Sequence, residues 1–298
     1  MNPQTGEIIY IDKPYRWTSF DVVNKVRWLL CKRLGTKKLK VGHAGTLDPL
    51  ATGVMIVCTG RATKRIDELQ AHTKEYVATL RLGATTPSFD LEHPIDAYYP
   101  AEHITRQQVE DVLLRFLGPI QQIPPSYSAV KVDGHRAYDL ARKEKEVELK
   151  PKLLVIDEIE LLEYKNPLSN SMAPSDSPCG EEDSFSSGRD DSGNATLPPT
   201  GGSGEVFLPR TGMRNKAFLT SPAAPDDTTS YPSITIRVVC SKGTYIRALA
   251  RDIGQALGSG AHLTALRRTR VGDVRVEECL PMDTFPEWLD HQEITIPE

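Results

Sequence analysis

The stretch Val41-Gly42-His43-Ala44-Gly45-Thr46-Leu47-Asp48-Pro49-Leu50-Ala51-Thr52-Gly53 carries one carboxylate, Asp48, among residues that cannot easily hide it. Its three glycines give the backbone freedom and let other groups come close. Pro49 pushes Asp48 out of the helical region into an extended conformation. From Lys25 to Arg65 there are ten Lys or Arg and one acidic residue, Asp48 itself. A lone aspartate in a basic, Gly-rich loop suits an acid working on an anionic polymer. The plainer reading is an Asp-Pro turn whose side chain bonds nearby backbone N–H groups. Three features weigh against it: His43 in the same loop, the Thr46 hydroxyl, and glycines that admit an RNA backbone or base.

A second constellation is Ser241-Lys242-Gly243-Thr244-Tyr245-Ile246-Arg247, where a strand feeds a helix. Helix N-termini present free N–H groups and attract anions. Arg247 falls in the first turn, where a cation opposes the helix dipole. It would sit better there with a carboxylate or phosphate partner, although a plain surface arginine fits equally well. In Thr73-Lys74-Glu75-Tyr76 the tyrosine opens a strand, which usually means half-buried packing. An aromatic ring can also stack on a base that has left its helix. Gly60-Arg61-Ala62-Thr63-Lys64-Arg65 lacks the GxxxxGK[ST] spacing of a P-loop; it reads as a basic turn, solvated or touching phosphate. Leu266-Arg267-Arg268-Thr269-Arg270, after Gly260-Ala261-His262, reads as a solvated basic face. His72, His93, His103, His135 and His291 have no partner at ligand spacing, so no metal site is expected.

Elements must position these groups. The spacing predicts a helix over 19–30, with Ser19 able to cap it and Val22, Val23, Val26, Leu29 and Leu30 on one face. Short strands are predicted over 55–59 and 76–82. A helix over 104–117 has a Thr105/Gln108 capping box, an apolar stripe of Val109, Val112, Leu113, Phe116 and Leu117, and a Gly118-Pro119 stop. Strands are expected over 153–164 and 234–240. Thr244 then caps a helix carrying Ile246, Leu249, Ile253 and Leu257.

The 298 residues suffice for one large domain or two smaller ones. The net charge of −4 alone argues against a nucleic-acid partner. That average misleads: residues 167–230 hold nine Asp or Glu against four Lys or Arg, so the remainder is slightly positive, with its cations clustered. The same segment is rich in Ser, Pro, Gly, Asp and Thr without periodicity, which predicts a disordered insertion between neighbouring strands. Loop-closure entropy penalises such an insertion only slowly with length. The five cysteines are odd in number and form no CxxC, which reads as reduced cytosolic thiols. Residues 1–10 lack a signal pattern, and no apolar run nears the ~20 residues of a membrane span. The expectation is a soluble cytoplasmic protein.

Taken together the strings resemble a known family. Asp12-Lys13-Pro14, Trp17-Thr18-Ser19-Phe20-Asp21-Val22-Val23, the Gly42-to-Val54 string, Lys74-Glu75-Tyr76, Pro124-Pro125-Ser126-Tyr127-Ser128-Ala129-Val130-Lys131 and Gly243-Thr244-Tyr245-Ile246-Arg247 occur in order. They are similar to the bacterial TruB-type tRNA pseudouridine synthases, which isomerise uridine 55 in the tRNA T loop. The match covers nearly the whole chain outside the insertion. The resemblance implies an α+β pseudouridine synthase fold, with a central, largely antiparallel mixed sheet flanked by helices. It implies Asp48 as nucleophile, Arg247 as its ion-pair partner and Tyr76 against the target base. It places His43 where the uridine leaves the T-loop stack, Tyr245 and Leu266 lining the pocket, and Lys64 on phosphate. It implies no cofactor and no metal, because nothing is oxidised and no phosphate is cleaved. The tRNA T stem-loop is the expected partner, with no membrane and no required protein partner.

In domain terms, 1–166 and 231–275 form the catalytic domain, 167–230 the insertion and 276–298 a short tail, too short for the RNA-binding PUA domain of many relatives. Arg16 stands where the family usually has glycine, in a turn remote from Asp48 in sequence and so of little expected consequence. The alternative function is a tRNA-binding and folding factor with dispensable catalysis. An RNA-guided relative acting on ribosomal RNA is a third reading.

Overall fold

Along residues 8–13, 74–82 and 233–238 buried residues alternate with half-buried ones, and these strands join into one sheet. The computed structural model describes residues 1–128, 130–132, 135–141, 149–167 and 231–295. In chain order the elements begin β1 (Ile8–Lys13), α1 (Ser19–Leu34), β2 (Val41–His43), β3 (Ala51–Thr59), a 3-10 turn (Gly60–Arg65), α2 (Ile66–Ala71) and β4 (Lys74–Leu82). The short β5 (Ala84–Thr85) and β6 (Ala97–Tyr98) precede α3 (Arg106–Leu114) and β7 (Gly118–Gln122). Then come β8 (Lys131–Val132), β9 (His135–Arg136), α4 (Ala137–Ala141), β10 (Lys152–Lys165) and β11 (Ser233–Cys240). The chain continues through α5 (Ile246–Ala256), β12 (Ala261–Val271), β13 (Val274–Arg275), a 3-10 turn (Val276–Glu278), β14 (Leu280–Pro281) and α6 (Phe285–Asp290).

The main sheet has ten strands along the path β14-β1-β3-β12-β4-β11-β10-β7, with β2 on β3 and β13 on β12. Only β1–β14 and β3–β12 pair parallel among its described strands, so the sheet is mixed and largely antiparallel, as expected for an α+β fold. The parallel β3–β12 pair joins the strand that follows the Asp48 loop to the strand that carries Leu266. One core cluster packs α3 and α5 on β4, β11 and β12. A second packs α1 and α6 on β1 and β3. On α1 this buries Val22, Val23, Val26, Leu30 and Leu34, each worth ~1.5–3 kcal/mol relative to exposure.

Several local expectations change. Helix 19–30 runs on to Leu34, and Thr18 caps it through a reciprocal box with Asp21. Ser19 is freed to bind the Leu47 backbone, its hydroxyl donating to Leu47 O at 3.0 Å and accepting from Leu47 N–H at 2.9 Å. The Thr105/Gln108 box is present. Thr244 does not cap α5: the helix starts after Tyr245, and the Thr244 hydroxyl donates to Ser241 O instead. The run 261–271 is the eleven-residue strand β12 at the centre of the sheet. Its register demands glycine at position 53, where φ is +104° and a Cβ would collide with the Arg268 carbonyl oxygen.

After Arg275 the chain does not trail away: β14 pairs with β1, and Met282, Phe285 and Leu289 enter the α1 core. Strands β10 and β11 pair as far as Lys165 with Ser233, so the chain leaves and rejoins the sheet at one end of an antiparallel pair. Residues 168–230, and with them the expectation of disorder, lie outside the described residues.

Candidate active site

The Asp48 turn is held from three sides. Ala51 N–H closes it onto Asp48 O at 3.1 Å, and Ser19 clasps Leu47 as above. Lys13, at the end of β1, is fully buried; its Nζ donates to Pro14 O at 2.9 Å, to Trp17 O, and to Pro49 O at 3.3 Å. Burial lowers the Lys13 pKa to about 8. Arg16 N–H donates to the same Pro49 carbonyl at 2.9 Å. The Arg16 turn, remote from Asp48 in sequence, therefore touches the Asp48 loop in space. Its φ of +66° is a left-handed conformation that glycine adopts without strain and arginine does not.

Arg247, in the first turn of α5, reaches Asp48 in a bidentate pair: Nε to Oδ2 at 2.9 Å and Nη2 to Oδ1 at 3.2 Å. Its remaining donors meet Ser88 O at 3.1 Å and Tyr127 O at 2.9 Å. Asp90 Oδ2 stands 3.7 Å from Nε on a second side. The guanidinium is buried, with its side chain 5% exposed, whereas 36% of the Asp48 side chain is open. The carboxylate is thus fixed by two parallel charge-assisted bonds and still presented outward. It faces a cleft walled by Leu50, Ala51, Asp90, Leu91, Arg247 and residues 263–266 of β12.

Arg268 on β12 is almost completely buried, with 1% exposure, and makes no ion pair among the described residues. Its Nε donates to Val54 O at 2.7 Å and its Nη2 to Gly45 O at 3.2 Å. It lies cross-strand from Tyr76 on β4, where its charge acts on the phenol. Burial raises the Tyr76 pKa, and the Arg268 charge opposes part of that rise. On β2, burial and then the Arg268 charge lower the His43 pKa, which favours a neutral imidazole. Tyr245 precedes α5, its backbone clasped by the Gln122 side-chain amide: N–H to Oε1 at 2.9 Å, and O from Nε2 at 3.2 Å. Burial raises its pKa.

Of the residues expected at the site, Asp48, Arg247 and Leu266 surround the cleft. His43 and Tyr76 both feel the charge of Arg268, which itself donates to Gly45 O of the Asp48 loop, and Tyr245 stands two residues before Arg247. Lys64 lies apart from the cleft lining, exposed on the Gly60–Arg65 turn. The reading of 266–270 as a solvated face is corrected, because each arginine is engaged within the protein. Arg267 pairs with Asp12 at 2.7 Å and Arg270 with Glu75 at 3.4 Å, while Arg268 is interior.

Sequence reasoning missed Asp90, Ser88, Gln122 and Arg268. The first two sit in a turn around Phe89, whose φ of +61° turns the Ser88 carbonyl and the Asp90 carboxylate toward Arg247. The Thr86 hydroxyl on Asp90 O and the Ser88 hydroxyl on Asp90 Oδ1 fix that turn. Its Thr-Pro-Ser-Phe-Asp composition was a turn signal without a chemical one.

The fold is similar to that of a chain in the crystal structure of a Cbf5-Nop10-Gar1 complex, with a TM-score of 0.55 and 26% identity over 97% of this chain. A chain in the structure of an H/ACA RNP bound to a substrate RNA containing 2'-deoxyuridine is alike in fold, with a TM-score of 0.54 at 22% identity over 96% of this chain. The present chain spans 56% and 54% of those two chains. Residues 32–176 match the TruB family pseudouridylate synthase N-terminal domain, which gives the class: a pseudouridine synthase built on an α+β sheet. Residues 247–294 match the tRNA pseudouridylate synthase B C-terminal domain. Proteins named tRNA pseudouridine synthase B from Phocaeicola vulgatus and Bacteroides fragilis are 57% and 56% identical, each over 99% of this chain and over 97% and 99% of their own lengths. One from Flavobacterium johnsoniae is 39% identical over 95% of this chain and 96% of its own. The chain belongs to the TruB family of pseudouridylate synthases.

Proposed function

We propose that the protein isomerises uridine 55 of the tRNA T loop to pseudouridine, in the cytoplasm, with neither cofactor nor metal and with no protein partner required. The observation that carries this reading is the bidentate Asp48–Arg247 pair at the mouth of the cleft. The sugar C1′ and the base C5 of a stacked uridine are inaccessible, so the nucleotide must be flipped into the cleft. The N1–C1′ bond breaks, the uracil turns, and a C5–C1′ bond forms. C5 gives up a proton and N1 ends with one, so atoms and electrons balance within the substrate.

Arg247 holds both Asp48 oxygens in one plane and compensates their charge, leaving the outward lone pairs for the sugar. Asp48 then attacks C1′, or assists departure of the uracil by a glycal-type route. Leu50, Ala51 and Leu266 supply apolar walls that exclude water from the cleaved bond. Tyr76, kept a phenol by its burial, is the ring assigned to the target base and to a part in proton transfer. His43, neutral at physiological pH, helps displace the uridine without adding charge, Tyr245 lines the pocket, and Lys64 meets a phosphate. The test is to map pseudouridine in an unmodified tRNA transcript and in one carrying cytidine 55. Product at position 55 in the first and none in the second is expected; product elsewhere, or none in either, refutes the assignment.

A further inference from the structure

The solvent face of α1 is unlike that of an ordinary surface helix. Phe20 is 64% and Trp28 56% exposed, while the opposite side of the helix fills the core. Lys25 Nζ lies 5.2 Å and Lys32 Nζ 5.4 Å from the Trp28 ring centroid. The two lysines come from the turns before and after Trp28, and the indole attracts each ammonium. Two flexible cations are thereby pre-ordered around one ring, which reduces the rotamer entropy lost when they bind an anion. They also repel each other, and a polyanion relieves that repulsion.

The surroundings point the same way. Residues 25–40 hold seven Lys or Arg and no Asp or Glu. Asp21, the one acid on α1, is occupied in the capping box with Thr18. Lys37, Lys38 and Lys40 are exposed and extend the row to β2, the strand of His43. At its other end α1 is sewn to the catalytic loop by the two Ser19–Leu47 hydrogen bonds. The face from Phe20 to Lys32 runs ~18 Å along the helix, starting beside that loop. A protein partner fits poorly, because cores of protein interfaces are depleted in lysine.

We propose that this face is an RNA-binding surface that holds the phosphate backbone of the substrate outside the loop that enters the cleft. Lys25 and Lys32 make the phosphate contacts, and Trp28 orders them. Naming the RNA as tRNA rests on the function proposed above; the surface itself does not.

The test titrates full-length tRNA transcript against the wild type, the Lys25→Gln/Lys32→Gln double variant and Trp28→Ala, across a range of NaCl concentrations. The double variant is expected to bind about tenfold more weakly at low salt, with the slope of log K against log salt reduced by about 2, one counterion release per lost phosphate contact. Trp28→Ala is expected to weaken binding severalfold. The Lys25→Arg/Lys32→Arg variant restores affinity. Unchanged affinity and slope in the double variant overturn the proposal. So does a change from dimer to monomer on Trp28→Ala in sedimentation, which would make the face a contact between copies. The same titration with the cytidine-55 transcript reads the surface alone, so failure of the uridine-55 assignment leaves this test standing.

Discussion

Two stretches of this chain are rich in cations and serve opposite ends. In 266–270 every arginine is turned to a partner within the protein: Asp12, Glu75, or backbone carbonyls of the Asp48 loop and β3. In 25–40 the lysines at 25, 32, 37, 38 and 40 make no ion pair among the described residues, and two of them gather on an exposed indole. Clustered charge in a sequence does not say which kind it is; the element beneath it does. A central strand buries one face of its residues between neighbours, so a cation there must find internal acceptors or destabilise the fold. A helix backed by the core on one side leaves its other side free for a ligand.

That contrast can be broken by substitution. The largest effect is expected from Arg247→Met, which leaves the buried Asp90 carboxylate without a nearby cation and Asp48 without its clamp. Turnover should fall about 10³-fold or more, with ~3–5 kcal/mol lost from folding, read from urea midpoints. Arg268→Met should cost ~3 kcal/mol, because the Val54 and Gly45 carbonyls lose their donors. A loss below ~1 kcal/mol there would put Arg268 with the dispensable surface cations.

Lys13 supplies a pH signature. Its folded pKa of about 8 lies below the ordinary 10.5, so between these values the unfolded chain binds the extra proton and stability rises with pH. The rise should be visible as the difference between wild type and Lys13→Met, which also removes the parallel contribution of Lys74 from the comparison. A pH-independent difference would contradict the burial of that ammonium. Arg267→Gln, which breaks a partly exposed pair, should cost no more than ~1 kcal/mol. Lys25→Gln/Lys32→Gln should shift folding by only ~0.5 kcal/mol or less, its effect appearing in RNA affinity.

The legible parts of this protein were those written in neighbouring residues. Thr105 and Gln108 form their capping box because three residues decide it. Asp48 stood out because glycines and Pro49 flank it, and Arg247 because a cation in a first turn wants a partner; the structure joins the two across 199 positions. What stayed hidden depends on pairings between distant strands. Nothing local to Arg268 tells that β12 lies between β3 and β4, and nothing near Asp90 tells that its turn faces α5. Thr18 and Ser19 are both competent caps; the choice is made by Leu47, whose backbone takes Ser19. Arg16 looked harmless by distance along the chain, yet its backbone donates to the carbonyl of Pro49, the residue after Asp48.

The role proposed for the carboxylate clamped by Arg247 is tested by single-turnover pseudouridine formation on an unmodified T stem-loop by wild type and Asp48→Asn, with RNA affinity measured on the same samples. The amide keeps the shape and loses the nucleophile, so binding should persist while turnover falls by about 10⁴-fold or more. Turnover at the wild-type rate in the Asp48→Asn variant would contradict the account.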